Sequence, residues 1–359
     1  EPATSFSFAF PSANDDDAYV ELAAAYTAET GVEIELLPIP TDGYSTQLPV
    51  QLQGGNAADL LQVYPGRGLP TSVLVLAEAG LLEPLGDSAA SVIPAGTEER
   101  YTFDGEIYAQ PTSLGVSGVV WNADAAKAAG IDEYPTTFAE TLEACETARA
   151  AGIDYMVLAG SALNSLGRTA QTLSATRVYA ATPDWNEQRA AGAVTFADSA
   201  WVDVLEDILT MKEAGCFQPG AEGSGFDVMT AKLTSGEALT ASMPGDAATV
   251  LNSSAPGLAF TIQPMAPRSG GSPWIIASAD FAFGVNAASD EATKAAVADF
   301  LAWAAEPENA VIFANIAGTI PIVGADTTDV LAPYVHVADL IAEGSFSALP
   351  NSGWADASV

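Results

Sequence analysis

The spacing of hydrophobic residues predicts that the chain begins with strands and helices in alternation. Phe6, Phe8 and Phe10 occupy every second position, which is the period of a β-strand with one buried face. Residues 15–30 instead carry apolar side chains at helical spacing and stop at Gly31. The pattern then predicts a strand at 32–36, a helix at 44–53 and a strand at 59–64. Strands joined by helices in this way form a twisted parallel sheet with right-handed crossovers.

Ligands of such sheets bind beyond the carboxyl ends of the strands. Those ends correspond here to the loops 11–15 and 64–68. We therefore expect ligand contacts from Ser12 and Asn14 in the first loop and from side chains of the second loop.

Later segments continue the alternation. A hairpin turn is predicted at Asp104-Gly105, and Pro111 is expected to end the strand that follows it. A Thr137-x-x-Glu140 capping box opens a helix. Further strands are predicted at 106–109, 116–121, 156–159, 238–243 and 281–285. Two helices have predicted core-facing stripes: Trp201, Val204, Leu205, Ile208 and Leu209 in one, and Val297, Phe300, Leu301 and Ala304 in the other.

The composition excludes several classes of partner. The 359 residues include 46 acidic and 11 basic side chains, for a formal charge of −35. So few cations cannot neutralise the phosphates of nucleic acid, and attraction to anionic lipid is disfavoured for the same reason. The acidity is expected to keep the protein soluble, and capture of a cationic ligand is the alternative. No apolar run is long enough to span a membrane, and residues 1–4 lack signal-peptide features, so any secretion signal is expected to precede them.

Catalytic and metal-binding patterns are missing from the sequence. The chain has a single histidine, His336, and no G-x-S-x-G nucleophile elbow, so a Ser-His catalytic triad is not indicated. The two cysteines are too far apart in sequence for a zinc motif. No phosphate-binding loop follows a glycine pair. The run Asp15-Asp16-Asp17 does not match a calcium loop and is better explained by the dipole of the first helix. We therefore expect no enzyme, no cofactor and no metal. A carboxylate-dependent glycosidase or lyase is the remote alternative, because paired acids cannot be excluded by counting.

Residues 101–130 carry the most specific motif of the chain. A DG-x-x-Y-x-x-P phrase precedes an apolar strand that ends in aromatic-Asn and then a helix. This segment resembles the signature of family-1 (sugar-type) extracellular solute-binding proteins of ABC importers. The matching residues are Asp104, Gly105, Tyr108, Pro111, Trp121, Asn122, Gly130 and Ile131.

The resemblance implies an α/β fold of two Rossmann-like lobes, the type II periplasmic-binding-protein-like architecture. A multi-strand hinge would join the lobes, with the ligand cleft between them. We assign residues 1–110 and 264–322 to the N-lobe, and residues 111–263 and 323–359 to the C-lobe. The implied function is capture of a mono- or small oligosaccharide and its delivery to the transmembrane subunits of a permease. An amino sugar, a polyamine or another cationic solute is the alternative ligand.

The family's ligand-contacting positions can be carried over to this sequence. In the N-lobe they are Tyr64 and Arg67, after the strand that resembles the family's "a-P-D-v" strand. Ser113, just past Pro111, corresponds to a further ligand-facing position of the family. In the return segment they are Trp274, Asp280 and Phe281, and near the end of the chain Trp354. Family members usually carry a further C-terminal helix, so we expect either a shortened C-terminus here or a further segment beyond Val359. In the C-lobe, Ser161 and Asn164 are suited to bind hydroxyls, and Asp246 replaces the aromatic residue of a "M-x-x-G-x-W" phrase.

Each of these residues also has a plain structural alternative, such as a strand-end aromatic for Tyr64, a surface cation for Arg67 and a helix cap for Asp246. Trp121, Trp185, Trp201 and Trp303 lie within apolar faces and are expected in the core.

An exported protein with an even number of cysteines favours one disulfide, between Cys145 and Cys216, and two buried free thiols are the alternative. We expect a monomer outside the cell, either anchored as a lipoprotein or secreted to the periplasm or medium.

Overall fold

The computed structural model describes residues 3–12, 16–86, 89–94, 97–161, 167–279, 281–322 and 331–354. The chain divides into two compact units. Unit 1 comprises Glu1–Gly115 and Ser278–Asp329, and unit 2 comprises Val116–Ala277 and Val330–Val359. The second segment of unit 1 begins at Ser278, whereas the sequence analysis lets the N-lobe resume at residue 264. The lobe boundaries of the sequence analysis stay predictions.

The strands are, in chain order, β1 (Ser5–Ser12), β2 (Glu33–Pro40), β3 (Leu60–Val63), β4 (Thr102–Phe103), β5 (Glu106–Ile107), β6 (Gln110–Pro111), β7 (Ser113–Asn122), β8 (Asp154–Met156), β9 (Ala238–Pro244), β10 (Phe260–Gln263), β11 (Ile275–Ser278), β12 (Ala282–Val285), β13 (Ile320–Pro321) and β14 (Phe346–Ser347).

The α-helices are α1 (Asp16–Thr30), α2 (Thr41–Gly54), α3 (Val73–Glu78), α4 (Ala123–Ala128), α5 (Phe138–Ala150), α6 (Arg168–Ser174), α7 (Trp185–Ala190), α8 (Trp201–Glu213), α9 (Phe226–Ser235), α10 (Asp246–Ser254), α11 (Glu291–Ala304), α12 (Pro307–Ala317) and α13 (Ala338–Ala342). A π-helical turn, Ala175–Tyr179, continues α6.

Unit 1 is built on a five-stranded sheet in the order β2-β1-β3-β12-β6. β1 pairs in parallel with β2 and with β3, as the alternating pattern predicts. β12 runs antiparallel to β3 and to β6, so the start of β12 lies beside the carboxyl end of β3. Phe6, Phe8 and Phe10 are buried against α1 and α11, and this confirms the predicted strand face.

β2 is an edge strand of this sheet. Its residues Pro38 and Pro40 lack an N–H group, and its Glu33 and Glu35 are exposed. The other edge strand, β6, contains Pro111, which pairs with Ala282. β6 ends at Pro111, in agreement with the predicted strand end there, and an edge strand tolerates the proline because it can spare one hydrogen-bond donor.

The predicted hairpin at Asp104-Gly105 is confirmed. β4 and β5 pair antiparallel across the two turn residues. Both residues have positive φ angles, 50° at Asp104 and 86° at Gly105. That combination is characteristic of a two-residue type I′ turn.

Unit 2 is built on a second mixed sheet in the order β14-β11-β7-β9-β8, with β10 also pairing with β7. β8 and β9 are parallel, and β7 is antiparallel to β9. Asn122 ends β7 and caps α4 by accepting a hydrogen bond from the Ala125 N–H. The Thr137–Glu140 capping box at the start of α5 is present as predicted.

The predicted core-facing stripe of α8 is partly wrong. Trp201 and Val204 are buried, but Leu205 and Leu209 are each 59% exposed. The buried face of α8 contains Asp207 instead. Trp121, Trp185, Trp201 and Trp303 are all buried, which confirms their assignment to the cores.

Two covalent or ionic connections hold the elements of unit 2 together. A disulfide joins Cys145 of α5 to Cys216, which follows α8, and both cysteines are fully buried. The Asp207 carboxylate accepts hydrogen bonds from Arg177 Nε at 2.7 Å and from Arg268 Nη2 at 2.7 Å. These bonds connect α8, the π-helical turn and the loop that leads to β11.

Candidate functional site

The carboxyl edge of the unit 1 sheet brings two predicted ligand residues into contact. Tyr64 directly follows β3, and Phe281 directly precedes the antiparallel strand β12. Their rings meet edge to face, with centroids 5.7 Å apart and an interplanar angle of 70°. Both side chains are only partly buried. An aromatic surface with a polar phenol at its rim therefore lies at this edge of the sheet.

Polar residues also lie at this edge of the sheet. Ser12 ends β1 and is partly exposed, and its carbonyl accepts a hydrogen bond from the Thr41 hydroxyl. The Thr112 hydroxyl and N–H both donate to the Phe281 carbonyl, at 3.3 and 3.2 Å. Ser113 follows Thr112 but is buried, and it pairs with Pro321 of β13.

The loop after Tyr64 has a well-defined backbone. Tyr64 N–H donates to the Thr71 carbonyl, and Val73 N–H donates back to the Tyr64 carbonyl at 2.8 Å. Arg67 projects from this loop and pairs with Glu78 at 2.6 Å, and both side chains are more than half exposed. An exposed pair of this kind contributes at most about 1 kcal/mol and can be broken readily by a ligand.

A buried polar network lies next to Tyr64. Gln62 Oε1 accepts a hydrogen bond from the Tyr19 hydroxyl at 2.6 Å, and the Gln62 carbonyl accepts one from the Tyr44 hydroxyl at 2.6 Å. Desolvation raises the pKa of Tyr64, and the side chain of Gln62 lowers it. Burial raises the pKa of Tyr44 further, and the neighbouring Tyr64 adds to this effect. Gln62 and Tyr44 were not among the predicted site residues, although a glutamine inside an apolar strand was a visible signal.

In unit 2, the carboxyl ends of the parallel strands β8 and β9 carry Ser161 and Asp246. The Ser161 hydroxyl and N–H both donate to the Ser224 carbonyl. Asp246 is exposed in the first turn of α10. Just before it, Gly245 approaches Tyr334 so closely that an added Cβ would lie 2.5 Å from the Tyr334 ring. Burial raises the pKa of Tyr334, and Asp246 contributes to that shift.

The structure adds Arg168 to this edge of unit 2. Arg168 opens α6 and donates from Nη1 to the Ser117 hydroxyl at 3.4 Å. Ser117 pairs with Pro244, directly before the Gly245-Asp246 turn. The sequence signal was present, because Arg168 is one of only 11 cations and follows the loop after β8.

The two predicted ligand-binding tryptophans of unit 2 lie against its core. Trp274 precedes β11, and its indole N–H is buried without a hydrogen-bond acceptor among the described residues. Trp354 donates from its indole N–H to Asn186 at 3.0 Å and packs against Phe196 and Trp201. Their roles as ligand contacts stay predictions.

Three further predicted contacts, Asn14, Asn164 and Asp280, lie outside the described residues. Among the residues that the structure does describe, no group of three His, Cys, Asp or Glu side chains could hold a metal ion. No helix in the described ranges is long and apolar enough to cross a membrane.

Comparison with known proteins identifies the fold and the family. The model of the bacterial extracellular solute-binding protein family matches residues 11–311. RafE from Streptococcus pneumoniae in its apo form has a TM-score of 0.79 at 17% identity, covering 99% of this chain and 90% of that chain. A probable secreted solute-binding lipoprotein from Streptomyces coelicolor has a TM-score of 0.79 at 18% identity, covering 98% and 89%. A chitin oligosaccharide binding protein has a TM-score of 0.71 at 20% identity, also covering 98% and 89%. No curated protein matches the chain.

These likenesses confirm the predicted α/β two-lobe periplasmic-binding-protein fold. They also confirm that the protein is not an enzyme, because the matched family consists of non-catalytic receptors, and the glycosidase alternative is thereby excluded. The family model spans well over half of the sequence. The chain belongs to the family of bacterial extracellular solute-binding proteins.

Proposed function

We propose that this solute-binding protein of an ABC importer captures a carbohydrate, either a monosaccharide or a small oligosaccharide. The observation that carries the proposal is the Tyr64–Phe281 pair at the carboxyl edge of the unit 1 sheet. A sugar ring presents a C–H face that packs on aromatic side chains, while its hydroxyls need polar partners. Ser12, which is partly exposed at the end of the neighbouring strand β1, offers such a partner at the same edge of the sheet.

Two structural neighbours support a sugar ligand. RafE has been determined in complex with raffinose, and another neighbour is a chitin oligosaccharide binding protein. At 18% and 20% identity, the two neighbours share the fold of this chain, and the ligand of this chain is tested by the panel described below.

The rival ligand is a cationic solute such as an amino sugar or a polyamine. Asp246 is exposed at the strand ends of unit 2, and the formal charge of −35 would attract cations. Asp280 would serve the same purpose. The two ligand classes differ in their response to salt, because screening weakens charge attraction and leaves aromatic packing nearly unchanged.

A ligand panel tests the proposal directly. Raffinose, chitobiose, glucosamine and spermidine are added to the purified protein at low and high salt, and the melting temperature is recorded. We expect a rise with at least one of the two neutral sugars that persists at high salt, because ligand binding stabilises the folded state. A rise with spermidine alone that is lost at high salt would favour the cationic alternative, and no rise with any sugar would contradict the proposal.

Replacing Tyr64 with alanine is expected to weaken binding of the sugar that raises the melting temperature most by about fivefold or more, since an aromatic contact contributes roughly 1 kcal/mol beyond its buried area. Isothermal titration measures the change. Tyr108 is the matched control, because it is also a half-buried tyrosine of unit 1, packed against Phe103 at 6.4 Å. Tyr108→Ala should leave the affinity unchanged, and equal losses in both variants would return Tyr64 to a structural role.

The remaining predicted contacts form part of the same proposal: Ser12, Asn14, Arg67, Ser113, Ser161, Asn164, Trp274, Phe281 and Trp354. We add Arg168 to them. We also propose that the protein acts as a monomer with a membrane permease, and that it is anchored by a lipid or secreted.

A further inference from the structure

Gln62 is an amide inside an otherwise apolar strand. Leu60, Leu61 and Val63 of β3 are fully buried, and Gln62 itself is only 2% exposed. Its Nε2 has no hydrogen-bond acceptor in good geometry among the described residues. A buried donor without a partner costs about 1–3 kcal/mol. Such groups concentrate at functional sites, where the missing partner is supplied by movement or by a ligand.

Tyr19 fixes which way this amide points. The Tyr19 hydroxyl donates to Gln62 Oε1 at 2.6 Å. Since the oxygen and nitrogen of an amide lie on opposite sides, this bond directs Nε2–H away from Tyr19. The amide therefore presents a donor, and not an acceptor, to whatever group lies on its other side.

Tyr64 is close enough to Gln62 for their side chains to interact. It is two residues after Gln62, and its backbone continues the extended conformation by bridging to Ser72. Residues two apart on a strand point to the same face. The influence of Gln62 on the pKa of Tyr64 agrees with this proximity. The Tyr64 ring is meanwhile held edge to face against Phe281.

We propose that Gln62 is a positioning residue that makes the Tyr64 hydroxyl a hydrogen-bond donor toward the ligand, an inference that rests on the proposed function. A small rotation of the Tyr64 ring lets its oxygen accept from Gln62 Nε2–H. The phenol proton must then point away from the amide, toward the bound solute. The order of donation runs from Tyr19 to Gln62, to Tyr64, and then to the ligand.

This order selects the ligand atom that Tyr64 can contact. The atom must accept a hydrogen bond, as a ring oxygen, a glycosidic oxygen or a hydroxyl oxygen does. An ammonium group has only hydrogen-bond donors, so it cannot accept a hydrogen bond from the phenol. The chain of hydrogen bonds from Tyr19 through Gln62 to Tyr64, here called the Gln62 relay, thus favours a neutral sugar over a polyamine at the carboxyl edge of the unit 1 sheet.

A double-mutant cycle separates this role from a merely structural one. Binding of the panel sugar with the largest melting-temperature effect is measured for Gln62→Met, Tyr64→Phe and the double variant. We expect Gln62→Met to weaken binding about threefold to tenfold when Tyr64 is present and to have no effect in the Tyr64→Phe background, because phenylalanine has no hydroxyl to orient. Equal weakening in both backgrounds, or none in either, would overturn the proposal.

A second measurement needs no ligand. The ionisation of Tyr64 is followed by near-ultraviolet absorbance as the difference between the protein and its Tyr64→Phe variant. Gln62→Met should move this titration to higher pH, because it removes an amide N–H that favours the phenolate. If Gln62→Met leaves the Tyr64 titration unchanged, the Gln62 relay is overturned even if sugars bind. If the titration shifts but no sugar binds, only the proposed ligand is contradicted.

Two further variants control for misfolding and for an unspecific loss of sugar affinity. If Gln62→Met alone does not fold, it is combined with Tyr19→Phe, which removes both ends of the Tyr19–Gln62 bond together. Ser347→Ala is the matched control, since the Ser347 hydroxyl is also buried without a partner among the described residues and Ser347 is outside the candidate site. It should leave sugar affinity unchanged. A loss of affinity equal to that of Gln62→Met would mean that removal of any buried unpaired polar group has the same effect, and the proposal would fail.

Discussion

Asp207→Ala is expected to destabilise unit 2 by about 3–5 kcal/mol, because it leaves a buried guanidinium without its counter-charge. The side chains of Arg177 and Asp207 are 2% and 3% exposed. Burial lowers the pKa of Arg177, and its hydrogen bond and attraction to Asp207 oppose that shift. Without the carboxylate, the hydrogen-bond partners that Arg177 retains are neutral, namely Thr176 Oγ1 and the Ala266 carbonyl, beside the face of the Phe138 ring.

Asp203 provides the control for this prediction. It pairs with Arg268 at 2.7 Å, but both side chains are more than two-fifths exposed. Asp203→Ala should therefore cost at most about 1 kcal/mol. Urea unfolding followed by tryptophan fluorescence measures both variants, since Trp185 and Trp201 are buried in unit 2. Similar small losses would mean that water reaches Arg177 when Asp207 is removed.

The double variant Cys145→Ala/Cys216→Ala is expected to lose about 4 kcal/mol of unfolding free energy. The disulfide closes a loop across 71 residues of sequence, and the chain entropy that it removes from the unfolded state grows with loop length. For a unit of this size the melting temperature should fall by roughly 10 °C.

Reductant supplies the internal control for the disulfide. Denaturant unfolding in the presence of a thiol should bring the original chain close to the variant, because both then unfold to an open chain. A difference that persists under reducing conditions would mean that packing of the sulfur atoms, and not the cross-link, provides the stability. A variant as stable as the original chain would show that the entropy estimate does not apply here.

Local patterns predicted the regular elements of this fold well. The alternation at Phe6, Phe8 and Phe10 and the capping box at Thr137 depend on residues close in sequence, and both are present. The Asp104-Gly105 turn follows the same rule, because only a few residue types adopt positive φ in succession.

Patterns failed where a distant partner decides the outcome. The stripe of α8 could place either Leu205 and Leu209 or Asp207 toward the core. Asp207 is buried because Arg177 and Arg268, from other parts of unit 2, neutralise it. No local rule contains those two contacts.

The candidate site divides in the same way. Topology alone indicated Ser12 and the loop after β3, and the family resemblance added Phe281. The contact between Tyr64 and Phe281 depends on the antiparallel pairing of β12 with β3, which the sequence does not specify. Arg168 was missed because its approach to Ser117 joins two segments that are far apart in the chain.

The exposed flank of β2 has a consequence for behaviour at high concentration. An open sheet margin invites another molecule to add its own strand and so begin fibrous growth. Here Pro38 and Pro40 have no backbone N–H group to donate to an added strand, and Glu33 and Glu35 place negative charge along the same margin. Copies of the protein crowded together should therefore repel one another at this margin and not polymerise through it.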